Sequence, residues 1–294
     1  MADFNLKIDE SKCIHCGLCS KDCIAAVISM EGDTPKVSAP QRCIGCQHCL
    51  AICPVGAISI MGKNPDESDK IYTQNPDMIL NLIKARRSDR QYKQENVDAD
   101  KLNKLKDMLT WVPTGCNCRK LHFSFIDDIE VMNEFRDYTN KKVISALEKK
   151  PIKAVVEKFS NYAKLLLKGH DVIFRGAPHM VVVANHVDAP CSKEDAIIAL
   201  SYFEMYAQSM GLGTCWCGLG DSCMKLFPEL CEYMGIPEGY KPEYAMLFGP
   251  KEVNFARTTQ PEKVSVVSAK KTGFEKLSAK QAAKRYFWNF LREY

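Results

Sequence analysis

Apolar residues in this chain follow several periods, and each change of period marks an element. After Ile60 the stretch from Met61 to Lys70 is polar and turn-rich, which predicts a linker. Asn75 followed by Pro76 is a helix-start signal, and Met78, Leu82 and Ala85 then recur at helical spacing as far as Arg86. Leu102, Leu105, Met108 and Leu109 predict a second helix. His122–Ile126 and Met180–Ala184 read as strands, the second apolar throughout and therefore buried. Lys141 to Lys168 reads as a helical excursion of mixed charge, broken at Pro151. Ser192 and Asp195 form a capping box that opens an apolar-rich helix running to Met210 and ended by Gly211. Apolar positions cover most faces of that helix, so it is expected to be buried on several sides, as at a subunit interface. Helices and strands alternate irregularly, so the fold class is α+β. The expected division is a small domain over 1–62, a linker over 63–75 and a larger domain over 76–294.

Composition adds little until the cysteines are counted. The 294 residues are 46% hydrophobic and 26% charged with a net charge of +4, and no basic stripe interleaved with aromatics points to nucleic acid. The first ten residues lack a signal-peptide layout, and no apolar run approaches the roughly 18 residues of a membrane span. A cytoplasmic protein is expected. Fifteen cysteines are then an outlier, since disulfides are disfavoured in a reducing compartment and regular cysteine spacing there points to metal.

Eight of them fall in two identical runs. Cys13, Cys16, Cys19 and Cys23 follow C-x2-C-x2-C-x3-C, and Cys43, Cys46, Cys49 and Cys53 repeat it 30 residues later. Three thiolates two residues apart let a tight loop wrap three corners of an iron–sulfur cube, and the fourth carries the chain to the next cube. This is the run of bacterial two-cluster ferredoxins, in which the fourth cysteine serves the other cluster. By that rule Cys13, Cys16, Cys19 and Cys53 hold one [4Fe-4S] cluster, and Cys43, Cys46, Cys49 and Cys23 hold the other. Zinc prefers two separated ligand pairs and explains a doubled run poorly. Gly17 and Gly45 lie where the loops must turn tightly. His15 and His48 read as exposed loop residues. Pro54 follows Cys53, but Ile24 follows Cys23, a departure that removes no ligand. Residues 1–62 hold five basic and six acidic side chains against 35 and 30 in the remainder, so the positive charge lies in the remainder, as expected if that part binds an anionic cofactor.

Three later stretches carry candidate chemistry. Arg86, Arg87, Ser88 and Arg90 form a cationic cluster with a hydroxyl, a good cradle for a phosphate monoester, although basic residues are also common in a last helical turn. Pro113, Thr114, Gly115 and Asn117 make a small-residue turn before a strand. Gly211–Gly220 resembles a dinucleotide fingerprint only loosely and follows a helix, so that reading fails on context. Taken in order with Gly176-Ala177-Pro178, Gly211-Leu212-Gly213-Thr214, Trp216 and Phe248-Gly249-Pro250, these motifs make segment 76–294 resemble the FMN-dependent nitroreductase family. The resemblance implies a three-layer α+β domain in a homodimer with FMN at the subunit interface. It implies that Arg86, Arg87, Ser88 and Arg90 hold the phosphate and ribityl chain, that Asn117 reaches the ring, and that backbone groups of Cys217, Gly218 and Leu219 lie near its reactive side. Arg257 would add a phosphate contact. Arg119-Lys120-Leu121 and Gln260-Pro261-Glu262 depart from the family pattern and leave the substrate class and the Arg257 role open. The seven other cysteines read as buried free thiols.

The expected function is an iron–sulfur flavoprotein of anaerobic type that takes electrons from a low-potential donor, ferredoxin or a nicotinamide cofactor. Both clusters would pass them to FMN for two-electron reduction of a nitro, quinone or activated-alkene acceptor. Alternatives are a dedicated reductase or reductive dehalogenase of one metabolite, and a non-catalytic electron carrier or redox sensor.

Overall fold

The computed structural model describes residues 4–148, 159–269 and 278–281, so Pro151 and its expected break lie outside the described residues. The N-terminal part repeats itself. Strand β1 (Lys7–Ile8), helix α1 (Leu18–Asp22) and strand β2 (Ile28–Glu31) are followed by β3 (Thr34–Val37), α2 (His48–Ile52) and β4 (Ile58–Ser59). β1 pairs antiparallel with β4 and β2 with β3, so each hairpin takes strands from both repeats or closes the join between them. Five-residue helices cannot stand alone in water. These two are held by a small core of Cys19, Ile28, Leu50, Ile58 and Ile60.

Helix α3 (Pro76–Ala85) starts as predicted, with the Asn75 side chain accepting a hydrogen bond from Asp77 N at 2.9 Å. It buries none of its residues, and Met78, Ile79, Leu80 and Ile83 face outward. Then come α4 (Ala99–Met108), β5 (Leu121–Ile126), α5 (Ile129–Glu148), α6 (Ala163–Leu167) and β6 (His179–His186). The chain continues through α7 (Ser192–Ser209), β7 (Leu212–Trp216), α8 (Gly218–Leu226), α9 (Glu229–Tyr233) and β8 (Tyr240–Pro250). The four long strands form one antiparallel sheet in the order β5-β6-β8-β7.

This sheet is buried on both faces. Met180 and Val182 of β6 join a core with α5, α8 and α9, whereas Val181 and Val183 face a core with α4 and α7. An apolar run without alternation is what a strand between two layers requires, and the result is the expected helix–sheet–helix arrangement. β6 and β8 also bring two motifs together, because a Cβ on Gly249 would lie 2.5 Å from Pro178 Cγ. Only a glycine lets that proline pack there.

One local expectation is corrected. Ser192 does not cap α7: the residue in that position is Cys191, without a side-chain cap. The Ser192 hydroxyl donates instead to Glu243 Oε1 at 2.5 Å, and Asp195 accepts from Gly115 N at 2.7 Å. The inner face of α7 is buried through Ala196, Ala199, Leu200, Phe203 and Ala207, while Ile198, Tyr202 and Tyr206 are exposed in the single chain. Met1–Thr258 form one compact unit and Thr259–Tyr294 a second. No helix among the described residues is long and apolar enough to cross a membrane.

Candidate functional site

The two cysteine runs interlock. Cys13, Cys16, Cys19 and Cys53 line one cavity together with Ile14, Leu18 and Val55. Cys23, Cys43, Cys46 and Cys49 line a second. Each cavity therefore takes three sulfurs from one run and the fourth from the other, as the crossed rule requires. The backbone explains how. Left-handed residues recur 30 positions apart, His15 with Gly45, Gly17 with Gln47, Ala26 with Gly56 and Gly32 with Gly62. Glycine supplies one member of each of these pairs or both.

Backbone amides point at the sulfurs with the same symmetry. His15 N and Gly45 N donate to Cys13 and Cys43 Sγ at 3.4 Å each, and Val27 N and Ala57 N to Cys23 and Cys53 Sγ at 3.3 and 3.2 Å. Such bonds favour negative charge on the sulfur. Burial works the other way, raising Cys19 and pushing Cys49 up to about 11. Thiols so placed become thiolates at neutral pH only when a cation takes their charge, and the donor set fits iron–sulfur ligation. Ile24, where the other repeat has proline, is exposed and leaves Cys23 in its cavity wall. His15 and His48 are exposed, and His48 Nδ1 lies 3.1 Å from Asp22 Oδ2.

The second cavity does not end with the N-terminal part. Its wall continues through Pro113, Thr114, Cys116 and Asn117. Asn117 Nδ2 donates to Ile44 O, inside the cysteine loop, at 2.9 Å. Cys116 and Asn117 both adopt left-handed conformations, with φ of 53° and 51°, which turns Cys116 outward. Cys116 is thus exposed, contrary to the expectation of a buried thiol. Cys215, Cys217 and Cys223 meet that expectation, and Cys118, Cys191 and Cys231 are half-buried.

The cationic cluster lies on the loop after α3. Arg86 Nη1 pairs with Glu204 Oε1 at 3.2 Å, and Trp216 Nε1 donates to the other oxygen of Glu204 at 3.2 Å. Arg87 donates to Arg86 O through Nη1, while its Nη2 is buried without a hydrogen-bond partner among the described residues. Arg90 is exposed and donates to Ser88 O at 3.3 Å. The loop is stitched to β7 by Asp89, a residue that sequence reasoning passed over. Asp89 N donates to Thr214 O at 2.8 Å, and its carboxylate accepts from Thr214 N at 3.2 Å and Gln208 Nε2 at 2.9 Å. Lys251 Nζ donates to Gln208 Oε1 at 2.6 Å, adding a cation beside the loop. A buried donor lacking a partner is costly, and at Arg87 it fits an anion held by this loop.

Cys217, Gly218 and Leu219 sit where β7 passes into α8. The Cys217 N–H is taken by Ala245 O at 2.9 Å, its thiol donates to Ile173 O at 3.4 Å, and burial pushes that thiol well up. The amides of Gly218 and Leu219 begin α8 and have no acceptor within the helix. A Cβ on Gly218 would lie 2.9 Å from the Tyr244 hydroxyl. Arg257 is exposed beyond β8, with no hydrogen bond to the arginine–serine loop among the described residues.

Comparison with known proteins agrees with this geometry. Residues 83–250 match the model of the nitroreductase family, and residues 6–60 match a 4Fe-4S dicluster domain. No curated protein matches the chain. Among solved structures, an FMN-bound nitroreductase from Desulfitobacterium hafniense DCB-2 is 20% identical with a TM-score of 0.53, covering 67% of this chain and 100% of that one. An FMN-bound nitroreductase from Bacteroides fragilis NCTC 9343 is 22% identical with a TM-score of 0.51, covering 66% and 100%. The chain belongs to the nitroreductase family and carries a 4Fe-4S dicluster domain at its N-terminal end.

Proposed function

We propose that this protein is an FMN-dependent oxidoreductase that takes electrons one at a time from a low-potential donor of the ferredoxin type. It delivers them in pairs to a nitro, quinone or activated-alkene acceptor in a reducing cytoplasm. The division is that of a dicluster domain over 1–62, a linker over 63–75 and a flavin domain over 76–294. Clusters supply single-electron transfer and FMN supplies two-electron hydride chemistry when bound. Cys13, Cys16, Cys19 and Cys53 hold one [4Fe-4S] cluster, and Cys23, Cys43, Cys46 and Cys49 hold the second. Arg86, Arg87, Ser88 and Arg90 hold the FMN phosphate and ribityl chain. Gly218 and Leu219 present amides toward the ring, with Cys217 acting as their anchor in the sheet. Arg257 adds a phosphate contact from the segment after β8. A homodimer covers the exposed apolar residues of α3 and α7, two helices that touch each other in this chain.

The observation that carries this reading is the shared wall of the second cavity, where four cluster sulfurs and the turn at Pro113–Asn117 enclose one space. The Asn117–Ile44 hydrogen bond fixes the two parts in that register. The test is anaerobic purification with iron, sulfide and FMN quantified per chain, followed by turnover driven by reduced ferredoxin and, separately, by nicotinamide cofactors. C53A is expected to keep FMN and lose ferredoxin-driven turnover. Undiminished turnover by that variant, or a preparation without iron, overturns the proposal.

A further inference from the structure

Three cysteines outside the two runs meet beside the second cavity. Cys116 and Cys118 lie in the turn after Thr114, and Cys191 immediately precedes α7. Asp195, only 1% exposed, ties them together. Its Oδ1 accepts from Gly115 N at 2.7 Å, and its Oδ2 accepts from the Cys118 thiol at 3.8 Å. Cys191 comes in from the other side: a Cβ on Gly115 would lie 2.6 Å from its Sγ, so the thiol rests against the backbone of the turn. Cys116 is exposed and shares the cavity wall with the sulfurs of the second quartet. Among the described residues, no three His, Cys, Asp or Glu side chains are placed to hold a single metal ion.

We propose that Cys191 and the Cys116–Cys118 turn form a dithiol–disulfide couple, a thiol-exchange site beside the second cluster quartet. The exposed Cys116 is the thiol that a small disulfide reaches. Its sulfur attacks one sulfur of that disulfide, forming a mixed disulfide and releasing one thiol. Cys191 then displaces the second thiol and closes the internal S–S bond. In sum the small disulfide gains two electrons and two protons, and two protein S–H bonds become one S–S bond. Burial, then the Asp195 and Glu194 carboxylates and the neighbouring thiols, push the Cys191 thiol up.

The test uses the full holoprotein, equilibrated without oxygen in graded mixtures of oxidised and reduced dithiothreitol. Free thiols are then alkylated and the protein is digested with trypsin under non-reducing conditions. The expected result is a disulfide joining peptide 107–119 to peptide 176–193, rising through one two-electron transition and missing from C191S. Flavin-depleted protein is expected to form the same link, so a failure of the FMN reading is distinguishable from a failure of this one. Three results overturn it: no linked pair at any ratio, a Cys116–Cys118 bond confined to the first peptide, or one zinc per chain that keeps these thiols from alkylation.

Discussion

Replacing Arg87 with alanine probes the proposed phosphate cradle at its most informative atom. Among the described residues its Nη2 is buried and unpaired, so the guanidinium has a donor in reserve. A charge-assisted hydrogen bond to a phosphate oxygen contributes about 1.5–3 kcal/mol. At about 1.4 kcal/mol per tenfold, R87A should weaken FMN roughly tenfold to a hundredfold. The assay is fluorescence titration of flavin-free protein with FMN and, in parallel, with riboflavin, which has no phosphate. Riboflavin affinity should stay within about twofold, since only the phosphate contact is lost. R86A makes the contrast, because Arg86 already pairs with the buried Glu204 carboxylate at 3.2 Å. Removing it strands that carboxylate and should weaken both flavins alike. Equal losses of FMN and riboflavin in R87A would refute the assignment, as would a change in FMN affinity below about threefold.

Four other substitutions test separate parts of the structure. Buried His179 accepts from Val97 N at 2.9 Å, and burial holds it down at about 4 against an ordinary 6.5. The unfolded chain binds a proton that the folded chain refuses between those values, so stability should fall by about 3 kcal/mol as pH drops through that window. H179Q should flatten the pH dependence of the urea midpoint, and a flat wild-type profile would contradict the assignment. Gly45 has φ of +63° and a Cβ there would meet Phe4 Cε1 at 2.7 Å, whereas at Gly17, with φ of +69°, the nearest atom is Met30 Sδ at 3.6 Å. Both pay about 1–2 kcal/mol for the left-handed backbone, so lower iron content in G45A than in G17A is expected, and equal content would count against the steric argument. N117A removes the hydrogen bond to Ile44, a net loss of about 0.5–1.5 kcal/mol, and should slow flavin reduction by a ferredoxin-type donor several-fold with iron and FMN content unchanged. An unaltered rate would separate that bond from electron transfer.

The parts of the fold legible in the sequence are those set by near neighbours. A four-cysteine run needs its spacing to wrap a cube, Asn75 caps α3 from two residues away, and β6 shows both buried faces in its own composition. What escaped the sequence depends on distant partners. Ser192 and Asp195 have the spacing of a capping box, yet Glu243 from β8 and Gly115 from the turn take their side chains. Asp89 sits inside a recognisable cationic motif as an unremarked spacer. Its importance comes from Thr214 and Gln208, more than a hundred residues later in the chain. Asn117 carries the family signal for a ring contact, and its amide also reaches Ile44 across the seam, a pairing that no motif encodes. Free thiols are usually buried, yet two consecutive left-handed residues turn Cys116 out.

The central claim is that electrons pass from the Cys23, Cys43, Cys46 and Cys49 quartet to FMN across the cavity that it shares with the 113–117 turn. The most direct measurement is anaerobic rapid mixing of the protein with a reduced ferredoxin-type carrier while flavin absorbance is followed, comparing wild type with C43A. Wild type should lose flavin absorbance in a phase that follows cluster reduction. C43A should retain its FMN and still bleach with excess dithionite, yet show no carrier-driven phase. Flavin bleaching by the carrier at the wild-type rate in C43A would contradict the account.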